Sequence, residues 1–238
     1  MSDGPETAAP NTADAPPPEA GAPPVEPGAS SSINLTNLAY RSVAHMIQAR
    51  RLRGGDIIVE ARLAGVLGIS RTPLREALQR LEGEGLVRKT ANRSFVVRKV
   101  DLQEYLESLK VREVLEPEAA ALAVGRISSA SFRAVRRELV ALINATAYHT
   151  EAHWASDDNV HRLFSQACGN QVLSNTIEAL RVTTRLFEIN RLADRLGPDS
   201  EEHMAILDAL EAADPALARR AVRNHIRSLT RYSTKLLL

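Results

Sequence analysis

Cysteine is nearly absent from this 238-residue chain. Cys168 stands alone, which excludes an intrachain disulfide and points to a reducing, cytoplasmic setting. Aromatic residues make up only 4%, so a core must be assembled mainly from Leu, Val, Ile and Ala. No apolar run approaches the ~18–20 residues of a membrane span, so no membrane partner is expected. The basic start and apolar stretch of a secretion signal are missing, as is any repeat at a solenoid period. Lys and Arg are missing altogether from residues 1–40, whose five acids give that segment a net charge of −5.

The remaining charge is just as unevenly spread. Residues 41–100 carry 13 basic and 5 acidic side chains, and residues 101–238 carry 17 and 19. A compact basic block between two acidic segments is the footprint of a phosphate-binding module attached to a partner that does not bind phosphate. The length exceeds one typical core and suits two domains.

Three segments follow from the pattern. Residues 1–32 hold eight of the twelve prolines, and such a stretch buries too little apolar surface to offset its ordering entropy, so a disordered tail is expected. Residues 33–98 read as three helices followed by two short strands. Leu38, Val43, Ala44 and Ile47 mark the first helix, which runs out at Gly54-Gly55. Leu63, Ala64 and Leu67 mark the second, with Gly68 as its stop. Thr72 is the expected cap of the third, with Pro73 at its first position. In that helix Leu74, Ala77, Leu78 and Leu81 follow the i, i+3, i+4, i+7 rhythm of one buried face. Leu86-Val87-Arg88 and Phe95-Val96-Val97-Arg98 predict a hairpin around Asn92-Arg93. Residues 99–238 are helical throughout, with helices expected at 101–125, 129–149, 151–168, 171–195, 199–212 and 215–235. Gly169, Gly197-Pro198 and Asp214-Pro215 supply the clearest breaks.

The second and third helices make a helix-turn-helix, and burying the apolar stripe leaves Arg71, Thr72, Arg75 and Gln79 toward solvent near the third helix's N-terminal end. A recognition helix presents that end to base edges in the major groove. Arginine there can bond guanine bidentately. Arg88, Lys89, Arg93, Arg98 and Lys99 would form a basic wing on the phosphate backbone. In the helical segment Asp157 and His161 lie four apart and so share one helix face. His203 and His225 fall on the last two predicted helices. One carboxylate and three imidazoles suit zinc, nickel, manganese or iron, with positions left open for water or an anion. His149 and His153 read as scattered surface histidines.

The run from Glu60 to Leu86 resembles the winged-helix signature of the GntR family of bacterial transcription regulators. Its most specific core is Ser70-Arg71-Thr72-Pro73-Leu74-Arg75-Glu76-Ala77-Leu78. The likeness spans about residues 36–98 and implies DNA contacts from Ser70, Arg71, Thr72 and Arg75. The family's wing commonly has Arg-Gly, whereas here Arg93 is followed by Ser94, without the freedom a glycine gives the wing tip. The helical segment resembles the FCD domain of the family's FadR branch. Asp157-Asp158-Asn159-Val160-His161, Glu202-His203 and Arg223-Asn224-His225-Ile226 match its metal-ligand order, with Val160 where Phe is usual and Asp158 as a rival to Asp157. Six helices are similar to the VanR-type subgroup.

That resemblance implies a mainly α protein, with a winged helix-turn-helix of three helices and a two-stranded wing followed by a six-helix bundle. It implies a homodimer on a double-stranded palindromic operator, with a small organic acid as effector and zinc as the foremost metal. Repression relieved by the acid is the expected mode. Arg112 matches the family's Arg-x-x-Leu-Glu segment, which implies pairing with a ligand carboxylate. The alternative is an Arg112–Glu116 ion pair on the helix surface. Asn175, Arg162 and Arg181 are further candidates for the pocket. Two other function classes remain open from sequence: a metal-dependent hydrolase using the Asp/His cluster to activate water, and a dedicated metal sensor.

Overall fold

The structure, a computed structural model, describes residues 29–143, 145, 150–188 and 195–237. The tail expected over 1–32 lies outside the described residues up to 28, and so does His149. The first helix, α1 (Ala29–Gln48), starts four residues before the boundary placed at 33. It is followed by β1 (Ile57–Ile58), α2 (Glu60–Leu67), α3 (Arg71–Gly83), β2 (Val87–Lys89) and β3 (Phe95–Val97). The apolar stripe of α3 forms the centre of this head: Leu74, Ala77, Leu78 and Leu81 are wholly buried against Ala39 and Val43 of α1 and Phe95 and Val97 of the sheet. Leu38, one of the expected markers of α1, instead faces solvent.

Two local details differ from the sequence reading. The helix α3 begins at Arg71 with Ser70, extended at φ −75° and ψ 166°, in the cap position. Pro73 is thus the third residue of the helix rather than the first. A proline fits there because the amide it lacks would have had no partner inside the first turn. The sheet has three antiparallel strands in the order β1-β3-β2, not two. Ile57 pairs with Val96, and Val87 pairs with Val97 from the other side. A two-residue strand leaves no periodicity to read.

Gly68 ends α2 as expected, at φ 64° with its amide on the Ala64 and Gly65 carbonyls. A Cβ built on Gly68 meets nothing within 4 Å, so a side chain is excluded by backbone strain alone. Gly68→Ala is expected to lower the head's stability by about 1 kcal/mol, read as a reduced urea midpoint.

The second part is all helical: α4 (Leu102–Ala123), α5 (Ser129–Ile143), α6 (Glu151–Ala167), α7 (Gln171–Glu188), α8 (Leu196–Glu211) and α9 (Pro215–Leu237). Asp101 caps α4 by accepting from the Glu104 amide at 2.8 Å. Packed against α6, α7 and α9, α4 is the bundle's central rod, and its Tyr105, Leu109, Ala119, Ala120 and Ala123 are fully buried. Gly197-Pro198, expected as a break, lies inside the first turn of α8, where again a missing amide is tolerated. No described helix is long and apolar enough to cross a membrane.

Candidate metal centre and nucleic-acid interface

Three helices of the bundle bring one cluster of four donors together. Asp157 and His161 come from α6, one turn apart; His203 comes from α8 and His225 from α9. One ligand atom of each lies within 4.8 Å of the others. The three imidazoles are buried, with exposures of 0%, 3% and 2% for His161, His203 and His225. The Nε2 atoms of His161 and His203 approach Asp157 Oδ1 at 3.8 and 3.3 Å.

The orientation of two rings is set from behind. His161 Nδ1 lies 2.7 Å from Glu116 Oε2, and His225 Nδ1 lies 2.8 Å from Glu202 Oε2. A carboxylate on Nδ1 fixes the proton there and leaves Nε2 as a lone-pair donor, the usual support behind a metal-bound histidine. The Nε2 atoms of His161 and His203 are buried with no hydrogen-bond partner, an arrangement that a cation satisfies. Burial pushes the imidazole of His225 down to about 4, against the opposing pull of Glu202, and burial with the nearby Arg181 charge holds His161 well below its ordinary value. Both are therefore neutral, as ligands must be. Burial pushes the carboxyls of Asp157 and Glu116 up, but nearby guanidiniums overcome it and hold both below the usual range: Arg181 and Arg185 at Asp157, Arg112 at Glu116. The donor set of one carboxylate and three imidazoles fits a divalent ion of the zinc, nickel, manganese or iron kind.

Beside the cluster lies a cavity of about 30 Å³, lined by His203, His225 and Asp157 together with Arg112, Arg181 and Arg185. Arg112 resolves the alternatives left by the sequence in a way neither anticipated. Its Nε donates to Glu116 at 2.5 Å and one terminal nitrogen donates to Thr184 at 2.8 Å. The i, i+4 pair is present, yet it is buried at the cavity rather than on the helix surface. Arg181, a candidate from sequence, reaches Asp157 and Asp158 at 2.7 Å each. Arg185, not singled out beforehand, donates to the same two carboxylates and also to the Trp154 carbonyl at 2.9 Å.

Two of the sequence candidates are elsewhere. Arg162 pairs with Glu178, and exposed Asn175 accepts from Gln171 at 2.8 Å. Both line a separate cleft between the head and the bundle. Helix register explains this, since a residue adjacent to His161 points about 100° away from it. His153, expected on the surface, is buried and lines the metal-side cavity, its Nδ1 2.8 Å from the Thr150 hydroxyl.

At the other end of the molecule, Ser70, Arg71, Thr72, Arg75 and Gln79 are all exposed along one face of α3. Arg75 is held in a fork on Glu60 Oε2, at 3.1 Å from Nε and 2.7 Å from a terminal nitrogen. The wing tip is exposed at Arg93, which itself adopts the left-handed conformation at φ 61°. The turn thus draws on Arg93, not on its neighbour Ser94, where the family has glycine. Arg98 does not join the wing's basic face. It is half-buried and donates to Thr183 of α7 at 3.0 Å and to Glu104 of α4.

Comparison with known proteins agrees with both ends of the molecule. Residues 35–97 match the model of bacterial regulatory proteins of the gntR family, and residues 107–228 match the FCD domain. The Glc operon transcriptional activator of Escherichia coli (strain K12) is 30% identical over 203 residues, covering 74% of this chain and 79% of the relative. The HTH-type transcriptional repressor RspR of the same organism is 24% identical, covering 80% and 83%. Among solved structures, E. coli McbR/YncC superposes with a TM-score of 0.71 at 22% identity, covering 86% of this chain and 99% of that one.

Proposed function

The chain belongs to the gntR family of bacterial regulatory proteins, as a transcription regulator with an FCD domain rather than an enzyme, and from that premise we propose that it is a metal-loaded repressor released from its operator by a small organic acid. The observation that carries the reading is the donor cluster: three buried imidazoles and one carboxylate, with the Nδ1 atoms of His161 and His225 held from behind by carboxylates. A divalent ion, zinc first among the fitting metals, would supply a positive seat for a carboxylate in the buried interior of the bundle. Asp157, His161, His203 and His225 would hold it. Arg112, Arg181 and Arg185 line the adjoining space.

On the DNA side, Ser70, Arg71, Thr72, Arg75 and Gln79 would enter the major groove, with Arg93 at the wing tip against the backbone. A homodimer on a palindrome matches the outer face of α4, where Val111, Val114 and Leu122 are 44%, 62% and 36% exposed. The exposed apolar centre is flanked by ion pairs to α9, Arg227 with Glu113 and Arg219 with Glu118, and an apolar patch with a polar rim is what an interface between two copies presents. The two functions meet on α7. One face of that helix lines the cavity through Arg181, Thr184 and Arg185, while Thr183 holds Arg98 at the end of the head. A coupling of ~1–3 kcal/mol through this helix suffices for release.

The test starts from selection of bound sequences out of random double-stranded DNA, which is expected to return a two-fold symmetric site. On that site Arg71→Ala should weaken binding by about 1–3 kcal/mol and relax one base position per half-site, leaving helix content unchanged. An organic acid added to zinc-loaded protein should then release the DNA, read by fluorescence anisotropy. Binding that is indifferent to Arg71→Ala, or DNA release by metal alone with no acid, would overturn the respective half of the reading; the second result would make the protein a metal sensor.

A further inference from the structure

The walls of the cavity say which acids suit it. Three guanidiniums line it and a fourth, Arg195, pairs with Asp199 of the lining; each is already matched by protein carboxylates: Arg112 by Glu116, Arg181 and Arg185 by Asp157 and Asp158, and Arg195 by Asp199 and Glu202. Glu188 is a further acid on the lining, 7% exposed and reached by the Tyr105 hydroxyl at 3.3 Å. Counting these off-lining partners, six carboxyls stand against four guanidiniums, and none of the four guanidiniums is left without a carboxylate partner for a second ligand carboxylate to take up. No Lys or Arg with charge to spare lines the cavity among the described residues. In a low-dielectric interior a second ligand carboxylate would stand unpaired beside Glu188 and Asp199, which is strongly unfavourable.

Neutral polar groups meet the opposite reception. Ser156 is 2% exposed, lines the cavity, and its Oγ is buried with no partner. Arg181 and Arg185 each keep an Nε–H buried and unpartnered. Glu188 offers carboxyl oxygens that accept from a hydroxyl. Donors and acceptors without added charge are what these groups lack. The cavity volume of about 30 Å³ has room for about two waters, which favours acids of few carbons.

We propose that the effector of this cavity is a small hydroxylated monocarboxylic acid and not a dicarboxylate, with its hydroxyl groups read by Ser156 and Glu188. This rests on the reading of the cavity as the effector site. The other wall, of Leu139, Leu142, Trp154 and Leu229, packs on carbon and carries no hydroxyl discrimination.

Three acids of equal chain length separate the possibilities: propionate, malonate and glycerate, each added to the full-length zinc-loaded protein with free zinc held constant. Glycerate is expected to raise the thermal midpoint most, propionate less, and malonate least. Ser156→Ala removes a buried hydroxyl that has no partner, so the variant should fold with an unchanged or higher midpoint in the absence of acid. Its apparent affinity for glycerate should fall about three- to tenfold, the worth of one neutral hydrogen bond, while its response to propionate stays the same. A malonate shift equal to or above that of glycerate overturns the inference and leaves the effector cavity standing. A loss of glycerate and propionate response together in Ser156→Ala also overturns it, because the hydroxyl would then be structural. If none of these acids moves the midpoint, the effector reading falls and takes the inference with it.

Discussion

Glu116→Ala is expected to lower the stability of the bundle by about 3–5 kcal/mol, the typical consequence of removing one partner from a buried ion pair. Glu116 is fully buried and serves two partners at once, Arg112 through Oε1 at 2.5 Å and His161 through Oε2 at 2.7 Å. Its loss leaves a guanidinium that is 2% exposed without its hydrogen-bonded carboxylate, and much of the desolvation of Arg112 is then uncompensated. The measurement is the urea midpoint of wild type and variant at matched denaturant slopes. A double variant, Arg112→Met with Glu116→Leu, should recover most of the stability, because replacing both members of such a pair by apolar groups is often neutral. The same double variant should still bind metal about 10–100-fold more weakly than wild type, since the group that orients His161 is gone. Equal metal affinity in the two proteins would show that Glu116 has no part in orienting the ring.

Zinc added at 100 times its dissociation constant is expected to stabilise the wild-type chain by about 2.7 kcal/mol through mass action on the folded state. His203→Ala removes one of the four donors and with it a buried Nε2 that has no other partner. The zinc-dependent rise in thermal midpoint should therefore vanish at that concentration and return only at far higher metal. His153 lines the same cavity but lies outside the four-donor cluster, so His153→Gln should keep the full response to zinc. A His203→Ala protein that responds like wild type would remove the cluster as the metal site.

Much of this architecture was legible in the sequence wherever the signal is local. The stripe of Leu74, Ala77, Leu78 and Leu81 repeats at the helical period, and all four side chains are buried without remainder. Asp157 and His161 are one turn apart, so their common face follows from spacing. Gly68 announces a left-handed residue by lacking a side chain. What stayed hidden depends on chain segments meeting in space. Glu116 stands 45 residues from His161, and Glu202 stands 23 from His225, so no periodicity links them. Arg98 read as one more basic wing residue because composition does not reveal a partner 85 positions away. Arg162 and Asn175 were attracted to the pocket by family likeness and residue type, and the helix register turned them into another cleft. The strand at Ile57–Ile58 is too short to show alternation and exists only because β3 offers it an edge.

Thr183 and Thr184 are neighbours in the chain, yet one accepts from Arg98 of the head and the other from Arg112 of the cavity. Successive residues on a helix are separated by about 100° and 1.5 Å, so α7 cannot turn or slide to suit one arginine while leaving the other untouched. Under the proposed coupling, the two binding events are therefore written into a single equilibrium and must antagonise each other by the same factor. The acid concentration that empties an operator is then no fixed constant of the protein. It rises with the strength of the operator it must compete against, so one regulator with one pocket would release its weaker sites first and its strongest sites last.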